Sequence, residues 1–328
     1  MCNIYKGKRV LIPGGSGLVG HSLCKYLIEY GAEVIVVSLD DPSRSPDGVK
    51  FIKANLMDYA ICCKLCDGID YVFNLTGVKG SQITCRERPA LYFERSVILA
   101  MNMLRAANKA NVSRYLFTSS YSVYAPSTIF YEDDAFNLPP SDNDWGNAWG
   151  KRVAELHVEA YRREFKLDNI CIVRPASVFG PYDLFSPEGM VVSSLIYRAV
   201  EESPPLVVWG DGSAIRDFIY SKDISRGMLK MLELMPDKPV NLGSGCGYSI
   251  KELATTICKH VDPSIGLVFD NSKPSGDPKR VMNVDRAKSY GFEVSFSLDD
   301  AIRETVAWYL ANRASPTEGR YNIFSEKL

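Results

Sequence analysis

Gly14, Gly17 and Gly20 stand at G-x-x-G-x-x-G spacing, directly after the apolar run at residues 9–12 and at the start of a helical pattern reaching Tyr30. Glycine is the residue that lets a backbone turn tightly, approach a ligand closely and pack a helix against a strand. The N–H groups and positive dipole end at such a helix N-terminus attract phosphate. With a strand on either side, the pattern implies a pyrophosphate cradle for a dinucleotide. Its neighbours Ser16, Leu18 and Val19 lie in the same cradle. At the end of the next strand, Asp40 is placed to accept from a ribose 2′-OH, and with Asp41 it would repel a 2′-phosphate. Ser38 with Arg44 would suit that phosphate instead. NAD is favoured and NADP stays open.

These residues need a framework, and the chain alternates strand and helix to provide one. Strands are expected at 9–12, 34–37, 49–54, 71–75, 114–118 and 170–173, with Gly31 stopping the first helix and longer helices at 90–110 and 151–165. This alternation implies an α/β fold: a Rossmann-type doubly wound parallel sheet. After about Gly180, Pro and Gly interrupt the pattern, as expected of a smaller C-terminal α/β substrate lobe over 181–328, with a return to the main sheet near 239–243. The dinucleotide-binding part would then span 1–180.

The chain has 328 residues with 38 Lys+Arg against 39 Asp+Glu, so charge gives no reason to expect a nucleic-acid partner. No apolar run reaches the roughly 20 residues needed to cross a bilayer, and residues 1–9 lack a signal-peptide stretch. A cytoplasmic enzyme is the expectation. The nine cysteines, including Cys62, Cys63 and Cys66, read as reduced thiols. With only His21, His157 and His260 and no ligand pairs among them, no metal is expected.

Further motifs run in order: Phe73-Asn74-Leu75-Thr76-Gly77, Phe117-Thr118-Ser119-Ser120-Tyr121-Ser122-Val123-Tyr124, Arg174-Pro175-Ala176-Ser177, Gly210-Asp211-Gly212 with Arg216-Asp217, and Gly276-Asp277 with Arg280. With the glycine loop, these resemble the extended short-chain dehydrogenase/reductase family, the NAD-dependent epimerases and dehydratases of nucleotide sugars. The central segment is closest in pattern to GDP-fucose synthase-like members. The resemblance implies hydride transfer at a sugar carbon. It also implies cofactor contacts from Asn55, Leu56, Leu75, Thr76, Gly77, Lys151 and Pro175, and a homodimer packed through the two long helices. Ser120 would hydrogen-bond the reacting oxygen, and Lys151, read as opening its helix, would hold the ribose and lower a tyrosine pKa. Arg216 and Arg280 would bind the diphosphate of a nucleotide sugar, GDP slightly favoured over UDP, with Ser177 and Lys79 as further substrate contacts.

One position departs from the family's Tyr-x-x-x-Lys pattern, because Asn147 stands where the tyrosine is expected. An amide can hydrogen-bond but cannot act as a base. The relay would then fall to Tyr121, Tyr124 or Tyr131, or to water. Alternatively the chain would be a non-catalytic nucleotide-sugar or dinucleotide-binding protein. Tyr121-Ser122 replaces the acid–base pair of the dehydratases, while Ser122 and Met190 replace the Cys and His of double epimerisation. An epimerase or keto-reductase chemistry is what remains.

Overall fold

The computed structural model describes residues 3–78, 82–273, 276–314 and 317–323. Seven strands form the main sheet: β1 (Arg9–Pro13), β2 (Glu33–Ser38), β3 (Lys50–Lys53), β4 (Tyr71–Asn74), β5 (Arg114–Thr118), β6 (Ile170–Pro175) and β7 (Val240–Leu242). Their spatial order is β7-β6-β5-β4-β1-β2-β3, and every neighbouring pair is parallel. The order reverses between β1 and β4, so a crevice opens there at the carboxyl ends of the strands.

Both faces of the sheet are covered, which explains why its strands are continuous apolar runs. Side chains alternate between the faces. Val10, Ile12, Val34, Val36 and Phe73 face helix α1 (Leu18–Glu29) and Met228 and Leu232. Leu11, Ile35, Val37, Val72 and Phe117 face Cys62 and Cys66 of α2 (Tyr59–Cys66) and the long helices α3 (Pro89–Lys109) and α4 (Trp145–Phe165). Burial pushes the Cys62 and Cys66 thiols up to about 12. They are core residues, and no cluster that could hold a metal occurs among the described residues. A third core joins α5 (Val191–Glu201), α6 (Ile250–Val261) and α7 (Leu298–Ala311) through Leu195, Ile196, Leu253, Ile257, Ile302 and Val306. No helix of the described residues is long and apolar enough to cross a membrane.

One sequence expectation needs correction. Helix α4 starts at Trp145 rather than Lys151, so Asn147 and Lys151 are consecutive-turn neighbours on one helix. Gly146 and Gly150 obscure that start, because glycine weakens a helical pattern. Packing requires them: a Cβ on Gly146 would lie 2.3 Å from the Pro89 carbonyl oxygen, and one on Gly150 would lie 2.7 Å from Ser96 Cβ. The two glycines let α3 and α4 run close together.

Candidate functional site

At the glycine turn, Gly14 has φ +79° and donates its N–H to the Val37 carbonyl at 2.8 Å. A Cβ there would lie 3.0 Å from the Leu75 carbonyl oxygen, and one on Gly20 would lie 2.1 Å from that of Gly15. Gly17 caps α1 without a side chain, and no acidic residue stands in the first turn. Its amides are thus left to an external anion, and the residues present fit a dinucleotide. Leu18 is buried, and the Val19 carbonyl accepts from Ser225. Ser16, also buried, donates to Asp40 Oδ2 at 2.6 Å, and the Asp40 N–H donates to Ser38 Oγ. Asn55 is exposed and accepts from the Met57 N–H, whereas Leu56 packs inward with its carbonyl taken by Asn102. The Leu75 N–H bonds to Pro13, and Thr76 Oγ1 donates to Asn74.

Lys151 reaches this crevice from α4. Its Nζ donates to the carbonyls of Thr118 at 2.8 Å and Thr76 at 3.2 Å, and it lies 3.8 Å from where a Gly77 Cβ would be. Burial lowers its pKa to about 8, partly opposed by Glu155 one turn on. Glu155 is itself buried, accepting from Ser119 and from Arg174 Nε and Nη2 at 2.9 and 2.6 Å. Pro175 ends β6 as a buried residue.

One turn before Lys151, Asn147 Nδ2 donates to Ser122 Oγ at 3.1 Å, and the Ser122 N–H donates to Ser120 Oγ at 3.1 Å. Ser122 lies in a 3-10 turn, Tyr121–Val123, that follows β5 and is capped by Ser120. The three relay candidates separate here. Tyr124 is buried, donates to Asn241 at 2.6 Å and accepts from Arg174 at 2.9 Å, so its hydroxyl is held within the protein, and it lines only the second of the hollows described next. Tyr131 is 48% exposed and lies outside the hollows described next. Tyr121 lines both of them.

The first hollow joins Tyr121, Phe130, Ser177, Arg216, Asp217 and Arg280, and the second extends it past Ser122 to Asp144 and Asp277. Parallel pairing of strands Ile215–Arg216 and Lys279–Met282 sets Arg216 beside Arg280. Two adjacent guanidiniums need holding. Arg280 Nε donates to Asp277 Oδ2 at 2.6 Å, and Arg216 Nη1 donates to the Asp277 carbonyl at 2.7 Å. Burial and then the Arg280 charge lower the Arg216 pKa. The Arg280 guanidinium lies 5.9 Å from the Tyr121 ring centroid. Burial raises the Tyr121 pKa and Asp144 adds to the rise, while Arg280, Arg216 and a hydrogen bond with Ser177 oppose it.

Buried Asp217 ties the surrounding loops together, accepting from Ser244 N–H and Oγ, Gly245 N–H and Met282 N–H. Met190 caps α5 away from either hollow, and Lys79 lies outside the described residues. Sequence reasoning missed Asp144, whose place depends on the 3-10 turn that leads into α4. The Gly276-Asp277 motif signalled Asp277 but not its hold on both arginines.

The chain is similar to known proteins along nearly its whole length. The chain is 26% identical over 326 residues to a GDP-L-fucose synthase of Escherichia coli (strain K12), covering 93% of this chain and 98% of the relative. It is 27% identical to a dTDP-4-dehydro-6-deoxy-D-allose reductase of Streptomyces bikiniensis, covering 93% and 97%. Its fold matches that of an epimerase of Methanothermobacter thermautotrophicus with a TM-score of 0.87 at 24% identity, covering 96% of each chain. Residues 10–243 match the NAD dependent epimerase/dehydratase family, and the chain belongs to that family of NAD-dependent enzymes.

Proposed function

We propose that this enzyme is a nucleotide-sugar epimerase or keto-reductase, that its favoured half-reaction is reduction of a sugar ketone, and that Tyr121 supplies the proton. The observation that carries the reading is the half-buried Tyr121 in one hollow with Arg216 and Arg280, adjoining the Ser122–Asn147 pair next to Lys151. Two arginines suit a diphosphate, the group shared by the sugar nucleotides in the two relatives' names. Because GDP-L-fucose synthases stand among the relatives, GDP is the nucleotide favoured here over UDP.

When bound, NAD supplies or accepts the hydride. Gly14, Ser16, Gly17, Leu18, Val19, Asp40 and Lys151 would hold it, and Ser120 would contact the reacting oxygen. A ketone that becomes an alcohol needs one proton at its oxygen. A phenol with a raised pKa holds its proton at neutral pH, so Tyr121 has one to give to the forming alkoxide. Removing a proton from an alcohol would need the phenolate, which burial and Asp144 disfavour. The Asn147 amide is neither an acid nor a base near neutral pH, and its N–H donates to Ser122.

The test is to follow 340 nm absorbance with NADH or NAD and a panel of GDP-, UDP- and dTDP-sugars and their 4-keto forms. NADH oxidation with a keto-sugar is the expected result. Binding of cofactor and sugar with no turnover in any pair would overturn the enzyme reading and leave a binding protein.

The same reading places the division between a dinucleotide-binding part and a substrate lobe near residue 180. It includes a homodimer through α3 and α4, where Leu156 and Phe165 are 57% and 47% exposed. Sedimentation as a monomer at micromolar concentration would remove the dimer.

A further inference from the structure

The segment that follows α7 returns to the cofactor end of the main sheet. The Asp41 N–H donates to the Gly319 carbonyl at 2.7 Å, and the Tyr321 N–H donates to Asp40 Oδ1 at 2.8 Å. Arg44 Nη1 donates to the Glu318 carbonyl at 3.2 Å. Gly319 has φ +71°, and a Cβ on it would lie 2.9 Å from both Asp41 Cβ and Ser43 Oγ. The segment is therefore seated closely on the loop after β2.

Asp40 is the centre of this arrangement. One carboxylate oxygen is held by Tyr321, and the other accepts from Ser16 in the glycine turn. Arg44 Nε lies 3.8 Å from that second oxygen. Held at both oxygens, the carboxylate presents a single orientation while keeping spare acceptor capacity, since a carboxylate has about four acceptor sites. The Arg320 charge acts on Arg44, and Arg320 Nη1 is buried with no hydrogen-bond partner among the described residues. Such a donor is costly to leave unsatisfied, so an acceptor belongs beside it.

We infer that Thr317–Tyr321 is a wall of the cofactor site at its adenosine-ribose end. In this arrangement Tyr321 positions Asp40 through its backbone N–H, and Arg320 is a further binding residue that donates to an oxygen of the bound adenosine ribose or its phosphate. The inference rests on the NAD class of the family and not on the sugar chemistry proposed above. Because the segment and the cofactor share Asp40, seating of the segment and binding of the cofactor favour one another.

Full-length protein is used for the test, with NAD and NADH affinities from calorimetry and fluorescence. Trypsin cleavage at the Arg320–Tyr321 bond, followed by mass spectrometry, reports whether the segment is seated. NAD should slow that cleavage in the parent protein. Gly319→Val should unseat the segment, weaken NAD binding roughly tenfold and abolish the protection. Arg320→Ala should weaken binding roughly three- to tenfold, with partial recovery in Arg320→Lys. Unchanged affinity in Gly319→Val and Arg320→Ala, or cleavage indifferent to NAD, would overturn the inference. A protein that binds NAD in this way but turns over no sugar would defeat only the preceding proposal.

Discussion

The glycine-turn end of the sheet and the hollow around Tyr121 are assembled by different means. At the first, proposed to hold the cofactor, a short stretch from Arg9 to Asp40 supplies a turn that offers backbone amides, and the requirement is for missing side chains. In the hollow, Tyr121, Ser177, Arg216 and Arg280 come from four separate elements, and the working groups are long, charged or aromatic side chains. Their placement depends on pairing between strands distant in sequence, as with Arg216 beside Arg280. A site of the first kind is lost when an atom is added, and one of the second kind when an atom is removed.

Substitutions can break that contrast or sharpen it. The largest effect is expected where both regions share a support. Arg174 holds Glu155 behind Lys151 and also Tyr124 in the lining of the second hollow. Arg174→Met would leave the Glu155 charge buried and unpaired, and urea unfolding should show a loss of about 3–5 kcal/mol. Next, Gly20→Val drives a side chain into the Gly15 carbonyl, so NAD affinity should fall at least ~100-fold by calorimetry while nucleotide-sugar affinity stays within about threefold. The mirror experiment is Arg280→Ala, expected to weaken nucleotide-sugar binding by roughly 30-fold and leave NAD binding unaltered. If both variants damaged both ligands equally, the two regions would be one site and the contrast would fail.

The smallest effect concerns pH. The folded-state pKa of Lys151 is lowered from 10.5 to about 8, so between those values the unfolded chain binds more protons at this group. Its destabilising contribution is therefore full below pH 8 and is relieved as pH rises toward 10.5. Between pH 7 and pH 9 the parent protein should gain about 1 kcal/mol relative to Lys151→Met, read as the pH trend of the difference in unfolding free energy.

The same contrast explains what could be read from the chain beforehand. The sheet strands and glycine turn were legible because local periodicity and glycine spacing create them, and the predicted strands at 9–12, 34–37 and 114–118 fall within a residue of those observed. The start of α4 was hidden because Gly146 and Gly150 answer to packing against α3, not to helix propensity. Family motifs single out Arg216 and Arg280, which the fold sets side by side, whereas nothing in the sequence separates Tyr121, Tyr124 and Tyr131. Only tertiary contacts show that the Tyr124 hydroxyl is committed to Asn241 and Arg174. The link between Asp40 and Tyr321 spans 281 positions through a backbone N–H, which no residue type announces.

The most direct test of the central claim is single-turnover reduction by Tyr121→Phe, with NADH and the keto-sugar nucleotide found active in the parent enzyme. Removal of only the phenolic oxygen should lower the rate by about 10²–10⁴-fold while the dissociation constants of both ligands stay within about threefold. An unchanged rate would contradict the claim and place the proton elsewhere.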